Sequence, residues 1–369
     1  MTTVEVTQPA RLTPLDALRG LIMLAMALDH ANAFIAHQHP APEMWTGPMP
    51  VYPNALAFLT RLVTHLAAPG FFFLMGAGMI LFADSRRKLG WTRGAVVRHL
   101  IARGLLLILL QFLVENPAWG FRGVAYAGVL YGLGTAMVVG SLLLWLDTGW
   151  IVGISLAAIL ATHAVIPGII RPGVSVSPLL RLLLVPGQTR DILVYYPTIP
   201  WLGLMGWGLV LGRWLLKDRD RAYRRALLTG LVFLVLFGGI RATRGWGNIL
   251  LAPGADWMAF FNVVKYPPSL PFIFLMLGID LLLLAAFARI ESGVRRWNPL
   301  VVFGSSPLFF YIAHLYLYKV IGEIFYPRGT QLLSMYPLWL GGLVILYPLC
   351  WLFGRFKQRQ PLNSLWRFF

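Results

Sequence analysis

Hydrophobic positions in this chain fall into long runs. They form neither the spaced stripe of a water-facing helix nor the alternation of a half-buried strand. Runs near the length that crosses a bilayer recur along it, bounded by Pro, Gly and basic clusters. The pattern predicts helices over about 15–36, 54–83, 99–114, 124–146, 150–166, 198–216, 226–240, 270–288, 299–320 and 337–354. The second should be broken near Ala68-Pro69-Gly70, where proline removes a helix donor. Loops are expected over 37–53, 167–197 and 241–268, with an interfacial piece at Leu179 to Val185. The first run interrupts its apolar core with Arg19 and with Asp29-His30 and lacks a small-residue cleavage site, so it is expected to be a retained helix, not a leader.

Composition agrees with that pattern. The chain has 369 residues, 58% of them hydrophobic and 12% charged, and its mean hydropathy is +0.71. These values exclude an ordinary soluble domain and define an all-α, polytopic membrane protein of about ten transmembrane helices. The short alternating segments of a barrel are missing. Residues 1–369 read as one transmembrane domain with a short segment 1–14 before it and a tail 356–369 after it. No internal repeat is visible.

A net charge of +17 changes the picture only through its distribution. With ten helices, 20 Lys and Arg residues fall on the side of the termini and 8 on the other, and Arg19, Arg61 and Lys319 within helices complete the 31. That bias predicts cytoplasmic termini and explains the charge without nucleic acid. The single cysteine, Cys350, excludes an intrachain disulfide and a cysteine metal cluster.

Charge inside apolar runs is costly and marks function. Arg19 and His30 are eleven residues apart, so they share a helix face to within roughly 20° at about 16 Å separation. Asp29 points away toward a neighbouring helix. Arg61 and His65 share a face one turn apart, which predicts Arg61 pairing with Asp29 while His65 approaches His30. His314 lies in the ninth predicted helix. Imidazoles in a polar cavity suit proton transfer. Without cysteine or a His-x-x-x-His pair, no metal is expected.

Four separated blocks resemble the heparan-alpha-glucosaminide N-acetyltransferase catalytic-domain family of the transmembrane acyltransferase superfamily. They are Leu15-Asp16-Ala-Leu-Arg19-Gly20 with Ala27-Leu28-Asp29-His30; Phe58 to Pro69 with Phe73-Leu-Met-Gly76; Lys265-Tyr266-Pro267-Pro268-Ser269-Leu; and Pro307 to His314. The Arg19 to His30 spacing also matches the superfamily's Arg, ten residues, His pattern. The resemblance implies transfer of an acetyl or other short acyl group from cytoplasmic acetyl-CoA or another acyl-CoA, with no permanently bound cofactor. The acceptor would be a hydroxyl or amine of a glycan or small molecule on the far side of a bacterial inner membrane.

In that scheme His30 is the base or acyl carrier, with Asp29, and His65 and Arg61 stabilise the oxyanion. Arg19 and the cluster Arg86-Arg87-Lys88 receive donor phosphates. Lys265, Tyr266 and Ser269 line the acceptor side, His314 is a cavity residue with no assigned role, and His39 is a second candidate base, because lysosomal members carry their working histidine near His37 or His39. The two prolines before helix eight would by themselves suit a stiff helix start, and positive-inside topology would by itself explain Arg86 to Lys88. A homodimer is compatible with the chain. The alternative is a proton-coupled transporter using the same intramembrane Asp, His and Arg residues, and a third is a lipid-binding scaffold. There is no phosphate-binding Gly-x-x-x-x-Gly-Lys loop and no Gly-x-Ser-x-Gly elbow.

Overall fold

The computed structural model describes residues 12–121, 123–169, 175–291, 297–361 and 364–368. Arg11, Arg122, Arg171, Arg295 and Arg296 of the charge count lie outside them. The helices are α1 (Thr13–Ala31), α2 (Ala55–Thr64), α3 (Ala67–Lys88), α4 (Arg93–Leu110), α5 (Asn116–Ala118), α6 (Val129–Leu143), α7 (Thr148–Ile169) and α8 (Pro178–Leu183). They continue with α9 (Thr198–Lys217), α10 (Arg219–Thr243), α11 (Trp257–Phe261), α12 (Leu270–Arg289), α13 (Pro299–Ser305), α14 (Pro307–Phe325) and α15 (Leu332–Arg359). Wide helical turns at Asn32–Ala36 and Gln111–Glu115 extend α1 and α4.

Among the described residues, nine helical spans are long and apolar enough to cross a membrane, with α2 and α3 forming one of them. The shorter apolar α6 is the tenth. The protein is therefore an all-α, multi-pass membrane protein. In the apolar windows of α9, α3 and α12, 72%, 67% and 67% of residues are buried, against 22% in α10 and α15, so the former are central and the latter face lipid.

Close helix crossings hold the centre together. A side chain on Gly76 would strike the Met205 carbonyl, and one on Gly208 the Phe73 carbonyl, so α3 and α9 touch backbone to backbone. Gly20 and Gly304 do the same for α1 and α13. In lipid, where apolar burial drives little association, such small-residue contacts supply the van der Waals attraction.

The architecture departs from the expected pattern in four places. The helix break falls at His65-Leu66, ahead of Ala68 to Gly70. Pro69 sits in the first turn of α3, where its missing N–H costs nothing, and its ring displaces the chain four residues earlier. The predicted start of the fourth helix is instead strand β1 (Ala125–Ala127), parallel to β3 (Ile192–Val194), which pairs antiparallel with β2 (Gly187–Gln188). Two or three residues per strand give too little alternation to be seen in sequence. The ninth predicted helix is divided at Ser305-Ser306, before Pro307, into α13 and α14. Finally, α10 begins at Arg219, earlier than its apolar run, because Asp218 caps it by accepting from the Arg221 N–H. The piece expected at Leu179 to Val185 is the short helix α8.

Candidate active site

The loop 37–53 is drawn in between helices. His37 turns the chain at φ 55° after α1, and Glu43 then pairs with the segment before α12. Its carbonyl accepts from the N–H groups of Lys265 and Tyr266 (3.0 Å each), while the Trp45 N–H donates to the Tyr266 carbonyl (2.8 Å). This seats the Glu43 carboxylate, fully enclosed, against α2.

A buried charge cluster forms there. Arg61 donates from Nε and Nη2 to the two Glu43 oxygens (2.8 and 2.7 Å) and from Nη1 to Asp29 Oδ1 and Oδ2 (2.8 and 3.0 Å). Thr64, one turn from Arg61, donates to Asp29 Oδ1 (2.8 Å), and Tyr52 donates to Glu43 (3.1 Å). Burial alone would push the Glu43 carboxyl up; the Arg61 guanidinium beside it wins and holds it at about 2. Lys265 is buried too, and its ammonium makes no hydrogen bond among the described residues. Burial first, and then Arg61, bring it down to about 8.

One helix face away, His30 Nδ1 lies 2.7 Å from His314 Nε2, and His314 Nδ1 lies 2.8 Å from the Phe310 carbonyl. The two imidazoles are within 7° of parallel. His314 is fully buried, whereas His30 keeps partial exposure, edged by Trp119 and Tyr311 at 5.3 and 6.3 Å between ring centres.

A cavity of about 300 Å³ among α3, α4, α6 and α14 is lined in part by Tyr311, whose ring edges His30. Arg19, Arg103 and Lys357 line one part of it and Tyr311 another, with an apolar wall that includes Met75 and Leu133 between. Arg19 is fixed by Asp16 Oδ1 and by the Gly304 carbonyl, both at 2.9 Å. Arg103 Nε is buried without a hydrogen bond among the described residues.

The predicted site residues divide accordingly. Asp29 and Arg61 pair across α1 and α2, as their spacing suggests. His65, however, does not pair with His30: its Nε2 lies 3.2 Å from Glu43 and its ring meets the edge of Phe272. His30 pairs with His314 instead. In this arrangement Arg61 bonds Asp29 and Glu43 through all three of its nitrogens. His39 Nδ1 faces the Pro40 carbonyl (2.8 Å), and its Nε2 faces both Arg61 Nη1 (2.8 Å) and Asp29 Oδ2 (3.3 Å), so both ring nitrogens have partners.

Ser269 caps α12, accepting from the Phe272 N–H, and Tyr266 packs its hydroxyl 3.3 Å from that of Tyr196. Of the basic cluster, Arg86 lies over Phe82 and Trp91, Arg87 donates to the Trp91 carbonyl and Lys88 pairs with Asp84; none of the three lines the cavity. Sequence reasoning missed Glu43, Arg103 and Lys357. Glu43 is the one acidic residue in the loop 37–53, which was its available signal; Arg103 and Lys357 were hidden among topology charges.

Comparison with protein families places this geometry. Residues 11–239 match the heparan-alpha-glucosaminide N-acetyltransferase catalytic domain. That is more than half of the chain, and the protein belongs to this family of membrane acetyltransferases. The matched region carries Arg19, Asp29, His30, Arg61 and Arg103, while Lys265, His314 and Lys357 lie beyond it. No curated protein matches the chain.

Proposed function

We propose that this protein transfers an acetyl or other short acyl group from acyl-CoA at the cytoplasmic face to a hydroxyl or amine of a glycan or small acceptor at the outer face. The membrane would be the bacterial inner membrane, with both termini cytoplasmic. The observation that carries the proposal is the position of His30, which lies between a cavity with a cationic end and a charge cluster on the opposite, loop-covered side.

The chemistry follows from that position. The donor's phosphates meet Arg19, Arg103 and Lys357, three cations that line the cavity, of which Arg19 is bonded to Asp16. Its pantetheine arm extends along the apolar wall, and the thioester ends beside Tyr311 and His30. His30 accepts the proton of the acceptor hydroxyl or amine as that group attacks the thioester carbon. The Lys265 ammonium, with no hydrogen bond among the described residues, is a cation available to stabilise the developing oxyanion. Asp29 and Arg61, clamped by Glu43, hold α1 and α2 in register around the reacting groups.

The test uses purified protein with labelled acetyl-CoA. Turnover or hydrolysis that falls by about 100-fold or more in His30→Ala, with binding of the donor retained, supports the assignment. Undiminished turnover in that variant removes His30 from the mechanism, and absence of any acyl-CoA affinity in the wild type returns the weight to transport.

A further inference from the structure

Hydrogen-bond logic along one line of atoms fixes more than the position of His30. The Phe310 carbonyl can only accept, so His314 Nδ1, 2.8 Å from it, carries a proton. A neutral His314 then has its lone pair on Nε2. That atom faces His30 Nδ1 at 2.7 Å, so Nδ1 must be the donor. The lone pair of His30 is thereby left on Nε2, which has no hydrogen-bond partner among the described residues, on a ring that keeps partial exposure.

We infer that His314 is a positioning residue that selects the His30 tautomer and orients its free nitrogen for proton abstraction. The inference rests on the acyltransferase proposal for its catalytic consequence, and on the geometry alone for the tautomer. The acceptor's O–H or N–H passes its proton to His30 Nε2 while its oxygen or nitrogen bonds to the thioester carbon. The carbon–sulfur bond then breaks, and the same proton passes from Nε2 to the departing thiolate. While His30 is an imidazolium, its Nδ1–H stays bonded to His314 Nε2, which keeps the ring from rotating and spreads the charge. Other titratable or charged groups around His30 are Asp29, His39, Arg61 and Lys265; around His314 they are Tyr311 and Tyr318. None of these bonds to His30 Nδ1, so the selection falls to His314.

The experiment has a structural arm and a kinetic arm. In protein labelled with ¹⁵N-histidine and held in bilayers, the His30 signal, assigned by its loss in His30→Ala, should show a protonated Nδ1 and a bare Nε2. In His314→Leu it should show a mixture. In the kinetic arm His314→Leu should lower kcat by about 100-fold with the KM for acyl-CoA unchanged, because His314 touches the base and not the donor. His314→Gln, whose side-chain oxygen reaches the same place as an acceptor, should return kcat to within about 10-fold of wild type.

A wild-type His30 with the proton on Nε2 overturns the inference whatever the enzyme does. Loss of kcat in the Leu and Gln variants alike, both with native unfolding temperatures, also overturns it, since an acceptor then fails to substitute. If the tautomer is as stated but no acyl-CoA is turned over, the acyltransferase proposal fails and the tautomer selection stands.

Discussion

Two charged regions of this protein are solved by opposite means. Around Arg61 the charges are closed: Asp29 and Glu43 surround one guanidinium at 2.7–3.0 Å, and Lys265 sits beside them, so two carboxylates meet two cations in a nearly dry space. Around Arg103 the arrangement is open: Arg19, Arg103 and Lys357 share a cavity wall, and Arg103 has no ion pair among the described residues. A closed cluster holds structure and suffers from any deletion. An open cluster spends stability to keep a site ready for an anion. The comparison predicts that the same chemical change, removing one arginine, has different consequences in the two regions.

The largest effect should come from the closed side. Arg61→Ala strands two buried carboxylates, a loss on the order of 3–5 kcal/mol for breaking a buried pair. Thermal unfolding in detergent should therefore show a large drop or no folded protein at all. Arg61→Lys should recover only part of it, since an ammonium cannot bond both Glu43 oxygens in a fork while reaching Asp29. An Arg61→Ala protein that unfolds at the wild-type temperature would mean that the cluster is not closed in this sense.

A smaller effect concerns pH. Lys265 in the folded protein is down at about 8 from an ordinary 10.5, so the unfolded chain binds more protons between those values and stability must rise with pH across that window. Below about 8 the penalty is constant, on the order of 3 kcal/mol. Lys265→Met should remove both the penalty and the rise, making the variant the more stable protein at neutral pH. Glu43 acts with the opposite sign. Held at about 2 against an ordinary 4.5, it contributes stability that is complete above 4.5 and disappears as pH falls toward 2. A wild-type unfolding temperature that declines as pH rises past 8, with Lys265→Met showing the same decline, contradicts this assignment.

The helices were legible in the sequence because lipid demands long apolar runs, and the Asp29 to Arg61 pair was legible because helical spacing fixed both faces. What stayed hidden depended on tertiary return of the chain. Glu43 becomes a ligand of Arg61 only because the loop 37–53 pairs with Lys265 and Tyr266, more than 200 positions later. His314 comes to His30 from 284 residues away, and no periodicity within either helix indicates that pairing. Arg103 and Lys357 looked like positive-inside residues, because topology alone accounts for Lys and Arg near a membrane surface.

The open side gives the mildest perturbation and the most informative one. Arg103 borders the cavity and Arg19 stands against it, so the folded protein carries their repulsion. Arg103→Gln should leave the unfolding temperature unchanged or slightly raised, since it relieves like-charge repulsion and removes no ion pair observed among the described residues. In the acyl-CoA assay it should raise KM by about 10-fold, the worth of roughly one charge-assisted hydrogen bond, while kcat stays near wild type. The KM ratio of variant to wild type should shrink as salt is added, because counterions screen the interaction that was deleted. Arg86→Gln is the internal control: its guanidinium lies over Phe82 and Trp91 and away from the cavity wall, so its KM should not move. An equal rise in KM for Arg86→Gln would relocate the anion site to the surface cluster. A loss of stability in Arg103→Gln like that of Arg61→Ala would erase the distinction between the two regions.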